Sequence, residues 1–275
     1  MSTLFIGGGN MASALAGGLI ARGCAPIELR FVEPSREQRE RLDTRLRGVA
    51  TFADPAPEAL AGASIVVLAV KPQQMRAACD ALAPQLRSTE AVVLSIAAGT
   101  RIADIARWLG GHERIARAMP NTPALIGKGI SGVYAPVSID ATGRALVEGV
   151  LAAAGEIVWV GDESMLDAVT GVSGSGPAYV FYFLEALEQA ARELGFDAAD
   201  ARKLAYATFE GAVALARSSP AEPAALRAQV TSKGGTTERA IATMESGAVK
   251  ATIVAAAKAA AEHARELGDA LGRDG

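Results

Sequence analysis

The sequence has few of the residues that usually carry metal chemistry or acid–base catalysis. Its 275 residues include two histidines, His112 and His263, and two cysteines, Cys24 and Cys79. Their spacing matches no common metal site, and two cysteines do not make a disulfide framework. We therefore expect no metal ion and a reducing compartment.

Aromatic residues and excess charge are also scarce. Aromatics make up 5% of the chain and hydrophobic residues 50%, so the core must be built mainly from Ala, Val, Leu and Ile. The net charge of -3 gives no electrostatic reason to expect nucleic acid or an anionic membrane as a partner. No apolar run approaches the ~20 residues of a membrane helix, and the first residues lack a signal-peptide pattern. These absences predict a cytoplasmic protein.

Short β-branched runs alternate with helical patterns up to Gly161. Alternation of this kind predicts a parallel sheet covered by helices, with mixed strand directions near its end. After Gly161 only helical periodicity is found. The sequence therefore predicts an α/β Rossmann-like domain at 1–161 and an all-α domain at 162–275. The predicted strands are Thr3–Ile6, Glu28–Val32, Ser64–Val70, Ala91–Ile96, Arg114–Met119, Gly129–Tyr134 and Ile157–Val160.

The C-terminal helices are rich in alanine and poor in bulky side chains. Such a layer of helices has too little bulk to form a thick core by itself, and a second copy of the chain would cover it. We therefore predict a homo-oligomer, with a self-contained bundle as the alternative.

A glycine turn directly follows the first predicted strand and opens a helix. Its residues are Gly7, Gly8, Gly9, Asn10, Met11 and Ala12. In a Rossmann unit such glycines permit a tight turn and let backbone amides approach a dinucleotide pyrophosphate, while the small Ala12 permits close packing of helix on strand. This context predicts a nicotinamide cofactor.

The end of the second strand carries signals for both forms of that cofactor. Glu33 could bind the ribose 2′-hydroxyl of NAD, whereas Ser35 and Arg36 could hold the 2′-phosphate of NADP. If Glu33 points into the pocket it repels that phosphate; if it points away, Ser35 and Arg36 remain to bind it. The sequence favours NADP slightly and leaves NAD open.

Further candidate residues follow the later strands, whose carboxyl ends line the ligand crevice of an open parallel sheet. The charge of Lys71 lies either in the site or in solvent beyond the strand, and the sequence leaves both open. The candidates at these strand ends are Ala69, Val70, Lys71, Pro72, Ile96, Ala97, Ala98 and Asn121.

Far along the chain, Val230–Thr237 joins two helices with glycines and hydroxyls. Such a loop before a helix can cradle a small carboxylate. The alternative is that Thr236 or Thr237 is only a helix N-cap and the glycines a linker.

Taken together, these segments resemble the pyrroline-5-carboxylate reductase family over nearly the whole chain. The resemblance is carried, in order, by the glycine turn, Ala69–Pro72, Met119–Pro123, Gly174–Tyr179 and Val230–Thr237. It implies reduction of 1-pyrroline-5-carboxylate to L-proline by NAD(P)H, the last step of proline biosynthesis. It also implies an interlocked dimer in which one chain gives the cofactor domain of a site and its partner the helical domain.

The resemblance further implies roles for individual residues. Ser232, Gly234, Gly235 and Thr236 would hold the substrate carboxylate, Thr237 would bond the ring nitrogen, and Glu163 would lie near the substrate. Thr237 and Lys71 are the candidate catalytic residues. Two departures weaken the match: Lys233 replaces a frequent proline, and Pro55 replaces a frequent asparagine on the adenosine side.

Two rival functions remain at this stage. A β-hydroxyacid dehydrogenase usually has a lysine on the first interdomain helix, and residues 162–175 contain none. A non-catalytic cofactor-binding protein with this fold would have no need of the carboxylate loop.

Overall fold

The computed structural model describes residues 2–87 and 89–273. Contacts divide the chain into a sheet unit, Met1–Ser175 with Lys258–Gly275, and a helical unit, Gly176–Ala257. This grouping differs from the predicted division at residue 161, because the segment after Gly161 and the end of the last helix make their contacts within the sheet unit.

The sheet unit contains one eight-stranded sheet in the order β3-β2-β1-β4-β5-β6-β7-β8. Neighbouring strands are parallel except for β6 and β7, so the predicted change of direction near the end of the sheet is confirmed. The strands are β1 (Thr3–Ile6), β2 (Leu29–Val32), β3 (Ala50–Phe52), β4 (Ile65–Leu68), β5 (Val92–Ser95), β6 (Ile115–Met119), β7 (Gly129–Tyr134) and β8 (Gly155–Trp159).

The central strands form because their side chains are covered on both faces. Every residue of β1, β4 and β5 is buried, and continuous β-branched runs suit such strands. Strand β3, by contrast, was not predicted from the sequence. It has three half-buried residues at the edge of the sheet, too few to give a periodic pattern.

Among the described residues, seven α-helices belong entirely to the sheet unit. Helices and central strands pack together in two hydrophobic clusters. One cluster includes Leu15 and Phe31, and the other includes Met75 and Leu82. Helix α2 is the arginine-rich helix and begins after the N-cap Ser35. The helices are α1 (Asn10–Ala21), α2 (Arg36–Arg45), α3 (Pro57–Leu60), α4 (Pro72–Leu86), α5 (Ile102–Trp108), α6 (Ala141–Leu151) and α7 (Met165–Val169).

The later helices are α8 (Gly176–Glu193), α9 (Ala198–Ser218), α10 (Pro223–Gln229), α11 (Thr236–Ser246) and α12 (Val249–Arg273). Asp197 caps α9 by accepting hydrogen bonds from Ala199 N at 2.9 Å and Asp200 N at 2.8 Å. None of the described helices is alone long and apolar enough to span a membrane. One pair bent by 49°, Thr236–Ser246 with Val249–Gly272, meets those two criteria jointly.

The helical unit has almost no buried core. Ala201 and Ala205 are its only fully buried apolar residues, while Phe181, Tyr182 and Leu215 are each more than half exposed. A self-contained bundle would bury such large side chains, since burying one stabilises a fold by about 1.5–3 kcal/mol. The self-contained alternative is therefore wrong, and these apolar faces require a cover.

Candidate functional site

The glycine turn joins β1 to α1 at the carboxyl edge of the sheet. Gly7 has a φ of +97°, and a Cβ built on it would lie 2.8 Å from the carbonyl oxygen of Ala69. Gly9 is the N-cap of α1, and no side chain caps the first amides of this helix. A Cβ on Gly9 would meet nothing within 4 Å. Uncapped amides beside open space suit a phosphate group.

The carboxylate of Glu33 is directed at this turn. Its Oε2 accepts a hydrogen bond from Gly8 N at 2.9 Å, and its Oε1 accepts one from Ser35 N at 2.9 Å. The hydroxyl of Ser35 accepts the amide of Gln38 at 3.3 Å as the cap of α2. Of the two orientations that the sequence left open, Glu33 therefore has the one that points inward. A 2′-phosphate at this strand end would meet the carboxylate and would need a cation beside it, and Arg36 is the exposed cation that begins α2.

Arg36 and Arg39 have different surroundings on α2. Arg39 donates to the carbonyl oxygens of Glu33 and Pro34 at 2.7 and 2.8 Å. The side chain of Arg36 is 85% exposed, and within the described residues its ion pair is with Glu40 on its own helix, at 2.9 Å. An exposed ion pair of this kind contributes little, so Arg36 can exchange it for an incoming phosphate.

The ends of β4 and β5 lie beside the glycine turn. Ala69 N donates to Ile6 O at 2.8 Å, and Ile96 N donates to Leu68 O at 3.1 Å. These bonds join the ends of the neighbouring strands β1, β4 and β5. Ala98 is exposed beyond β5, and Lys71 is exposed as the N-cap of α4. The structure therefore brings the predicted residues at these ends to one edge, with the charge of Lys71 outside the core.

Asn121 is buried, with its side-chain amide bound to the backbone. Its Nδ2 donates to Ser173 O at 3.1 Å, and its Oδ1 accepts from Ile130 N at 2.9 Å. These bonds connect the loop after β6 to β7 and to the turn at 170–174. The prediction that Asn121 contacts the cofactor stays a prediction, and it would have to use groups other than this amide.

A buried ion pair joins β6 to the segment that follows β8. The guanidinium of Arg117 donates to Glu163 Oε1 at 2.5 Å, and the Arg117 side chain is 4% exposed. Burial lowers the pKa of Arg117, and the hydrogen bond and charge of Glu163 oppose that shift. Glu163 also accepts the amide of Ile102 at 2.8 Å, at the start of α5. The predicted substrate residue Glu163 thus ties strand β6 to the start of α5.

A second ion pair lies beside the first. Arg101 donates to both carboxylate oxygens of Asp167, at 2.8 and 3.2 Å. Burial works to lower the pKa of Arg101, but Asp167, Glu163 and Asp269 outweigh it and raise that pKa. The sequence reasoning missed Arg101, Arg117 and Asp167; a charged residue inside a buried strand was the one signal that could have found Arg117.

The predicted substrate loop belongs to the helical unit and ends at the start of α11. Gly235 is the N-cap, so the alternative that Thr236 or Thr237 is only an N-cap is wrong. Gly234 N donates to Glu238 Oε2 at 2.6 Å and Gly235 N donates to Ser232 O at 3.0 Å. Both glycine amides that were expected to hold the substrate carboxylate are therefore already bound within the turn. Within the described chain, neither threonine hydroxyl has a hydrogen-bond partner. The loop thus offers two hydroxyls and the first amides of α11 to a ligand.

Comparison with known proteins covers both parts of the chain. A family model described as "Pyrroline-5-carboxylate reductase dimerisation" matches residues 163–267. A second model, "NADP oxidoreductase coenzyme F420-dependent", matches residues 3–99. The pyrroline-5-carboxylate reductase of Pseudomonas aeruginosa is 42% identical over 98% of this chain and 97% of its own. The enzyme of Corynebacterium melassecola is 38% identical over 96% of this chain and 97% of its own.

Solved structures agree with these relatives. The pyrroline-5-carboxylate reductase of Coxiella burnetii superimposes with a TM-score of 0.90 at 38% identity, covering 97% of this chain and 98% of that one. The pyrroline carboxylate reductase of Plasmodium falciparum, solved with NADP bound, gives a TM-score of 0.86 at 28% identity, with 98% of each chain covered.

Proposed function

Because this chain belongs to the pyrroline-5-carboxylate reductase family, we propose that it reduces 1-pyrroline-5-carboxylate to L-proline with NAD(P)H, the last step of proline biosynthesis. The observation that carries the substrate assignment is the loop before α11, with its amides and two unpartnered threonine hydroxyls. This pattern suits a small ring that bears one carboxylate and one nitrogen.

The sheet edge fits a dinucleotide cofactor. Gly9 leaves open the space that a side chain would fill, and the amides of α1 face it without a cap. In the proposed site Gly7–Ala12 hold the pyrophosphate, Ser35 and Arg36 hold the adenosine ribose, and the β4 and β5 ends (Ala69–Pro72 and Ile96–Ala98) with Asn121 hold the nicotinamide half. When bound, NAD(P)H supplies the hydride for the imine carbon.

The protein's own contribution to the reaction is orientation and exclusion of water. We assign the substrate carboxylate to the Ser232 and Thr236 hydroxyls, which the turn at Gly234 and Gly235 places, and the ring nitrogen to the Thr237 hydroxyl. A protonated imine is already electrophilic, so holding it in place can supply most of the acceleration. Lys71 and Glu163 stay as candidate charges at the rim. No residue is required to act as a strong general base.

The proposed active site combines two copies of the chain. The uncovered apolar faces of the helical unit and the dimerisation model over residues 163–267 support an interlocked dimer. In this arrangement the sheet unit, which contains the predicted cofactor domain, comes from one chain, and the substrate loop Val230–Thr237 of the helical unit comes from its partner. We place the enzyme in the cytoplasm, in keeping with its two cysteines.

A substrate panel tests the proposal against its rivals. With NADPH or NADH, 1-pyrroline-5-carboxylate should be reduced, whereas 3-hydroxy acids with the oxidised cofactors should give no turnover. Turnover of a 3-hydroxy acid would favour a β-hydroxyacid dehydrogenase. Tight cofactor binding without turnover of any of these compounds would favour the non-catalytic reading.

Adding a methyl group at Gly9 should weaken cofactor binding without affecting the fold. Gly9→Ala places a Cβ in the open space above the turn, where the pyrophosphate would lie, and we expect KM for NADPH to rise about ten-fold. Gly17→Ala, also on α1, is the matched control, because its Cβ would make an ordinary contact of 3.8 Å with Leu46 at the end of α2. Steady-state kinetics and thermal unfolding of both variants measure this; equal KM values would contradict the assignment.

Removing Arg36 should distinguish the two cofactors. Arg36→Ala is expected to raise KM for NADPH by about ten-fold, the loss of one charge-assisted contact, and to leave KM for NADH nearly unchanged. Arg41→Ala is the control, since Arg41 lies on the same helix in a similar exposed ion pair, with Glu37. If both cofactors are affected alike, Arg36 does not bind the 2′-phosphate.

A further inference from the structure

The turn after β5 is packed against the end of α12. A Cβ built on Gly268 would lie 2.7 Å from the carbonyl oxygen of Gly99 and 3.1 Å from Arg101 Nη2. Gly99 has a φ of +78°, and a Cβ there would lie 3.4 Å from Leu271. A methyl group at Gly268 would therefore collide with the backbone of Gly99, whereas at Gly99 it is the positive φ that favours glycine. Nothing in the resemblance or the proposed chemistry assigns a role to this contact.

The residues that follow Gly99 are held from other sides as well. Arg101 is bound by Asp167 at 2.8 Å and approached by Asp269 of α12 at 3.8 Å. The amide of Ile102 is bound by Glu163 at 2.8 Å. The short stretch from Gly99 to Ile102 is thus fixed by carboxylates and by the helix end, and it continues directly from Ile96–Ala98.

The position of β5 in the sheet indicates which half of the cofactor this stretch serves. The order β3-β2-β1-β4-β5 places β2 and β5 on opposite sides of the glycine turn. The end of β2 binds the adenosine ribose in such folds. A dinucleotide that crosses the sheet at β1 therefore puts its nicotinamide half over β4 and β5.

We propose that Gly268 and the end of α12 are a positioning element for the β5 turn, and that they set the affinity for the nicotinamide half of the cofactor. The proposal rests on the proposed function, since it requires that this turn binds NAD(P)H. Gly268 touches neither cofactor nor substrate; it acts by fixing Gly99. A shift of a few tenths of an ångström in the turn would misalign the nicotinamide.

Two glycine-to-alanine variants, both on α12, test whether Gly268 positions the β5 turn. Gly268→Ala forces a methyl group against the backbone of Gly99. Gly272→Ala is the matched control, because its Cβ would meet the Asp104 carboxylate at 2.7 Å, a side chain that can rotate away. Both changes raise helix propensity equally, so their effects on α12 itself cancel.

We expect Gly268→Ala to weaken NADPH binding about five-fold relative to Gly272→Ala. Binding of ADP, which carries only the adenosine half, should be equal in the two variants. Equal NADPH affinity in both variants overturns the proposal. An equal loss for ADP and NADPH in Gly268→Ala overturns it too, because it indicates a general distortion of the sheet unit.

A second variant keeps the proposal testable if Gly268→Ala does not fold. Leu271→Ala removes the side chain that packs beside Gly99 and introduces no collision, and it should likewise weaken NADPH but not ADP. Unchanged NADPH affinity in Leu271→Ala would then overturn the proposal. If the parent protein neither binds NADPH nor reduces 1-pyrroline-5-carboxylate, the proposed function fails, and that outcome is distinct from all of these.

Discussion

Replacing Thr237 by alanine is expected to lower kcat/KM for 1-pyrroline-5-carboxylate by about a hundred-fold. The hydroxyl is assigned to the substrate nitrogen, and a hydrogen bond to a charged group is worth about 1.5–3 kcal/mol, or roughly ten- to over a hundred-fold. KM for the cofactor should stay within about two-fold, because Thr237 belongs to the substrate loop. Initial rates over a grid of both substrate concentrations separate the two quantities.

Thr243 supplies the control for this experiment. It lies on the same helix, and its hydroxyl already donates to Arg239 O at 3.0 Å, a bond within α11. Thr243→Ala should therefore leave both parameters close to those of the parent. A Thr237→Ala enzyme that loses substrate and cofactor affinity equally would contradict the assigned role.

Glu163→Gln should be the most destabilising conservative change in the sheet unit. The substitution leaves the buried Arg117 guanidinium without its counter-charge and close to the second cation Arg101. Breaking a buried pair in this way costs about 3 kcal/mol or more. For a unit of this size the thermal midpoint should fall by about 10 °C, as measured by calorimetry at neutral pH.

Two further variants separate the loss of a buried ion pair from the loss of an exposed one. Glu40→Gln breaks the exposed Arg36–Glu40 pair and should cost less than about 0.5 kcal/mol. Adding Arg117→Met to Glu163→Gln removes the uncompensated charge and should restore part of the lost stability. If Glu163→Gln lowers the free energy of unfolding no more than Glu40→Gln does, the Arg117–Glu163 pair does not stabilise the sheet unit.

The sequence predicted the regular parts of the fold because burial leaves a pattern in it. Strands β1, β4 and β5 are mostly apolar runs, which predict buried strands. The glycine turn lies between a strand and a helix, the context that predicts a dinucleotide site. The prediction failed where structure depends on distant partners. Strand β3 is three residues long and lies at the edge of the sheet, so it was not predicted from the sequence.

The ion pair between Arg117 and Glu163 could not be predicted from the sequence for the same reason. Arg117 and Glu163 are 46 residues apart in the chain, and no local spacing indicates that they meet. Glu163 was predicted as a site residue by family resemblance alone, and the structure shows that Arg117 and the amide of Ile102 bind it. The inward direction of Glu33 could not be predicted either, because it depends on an amide of the glycine turn. Side-chain direction at a strand end is a tertiary property.

The most direct test of the central claim follows the hydride itself. The enzyme would be given 1-pyrroline-5-carboxylate and reduced cofactor carrying deuterium at the transferable position of the nicotinamide ring, and the product examined by mass spectrometry and NMR. We predict L-proline with one deuterium at C5, formed in proportion to the cofactor oxidised. Absence of proline with both NADPH and NADH, or proline without deuterium from the labelled cofactor, would contradict the account.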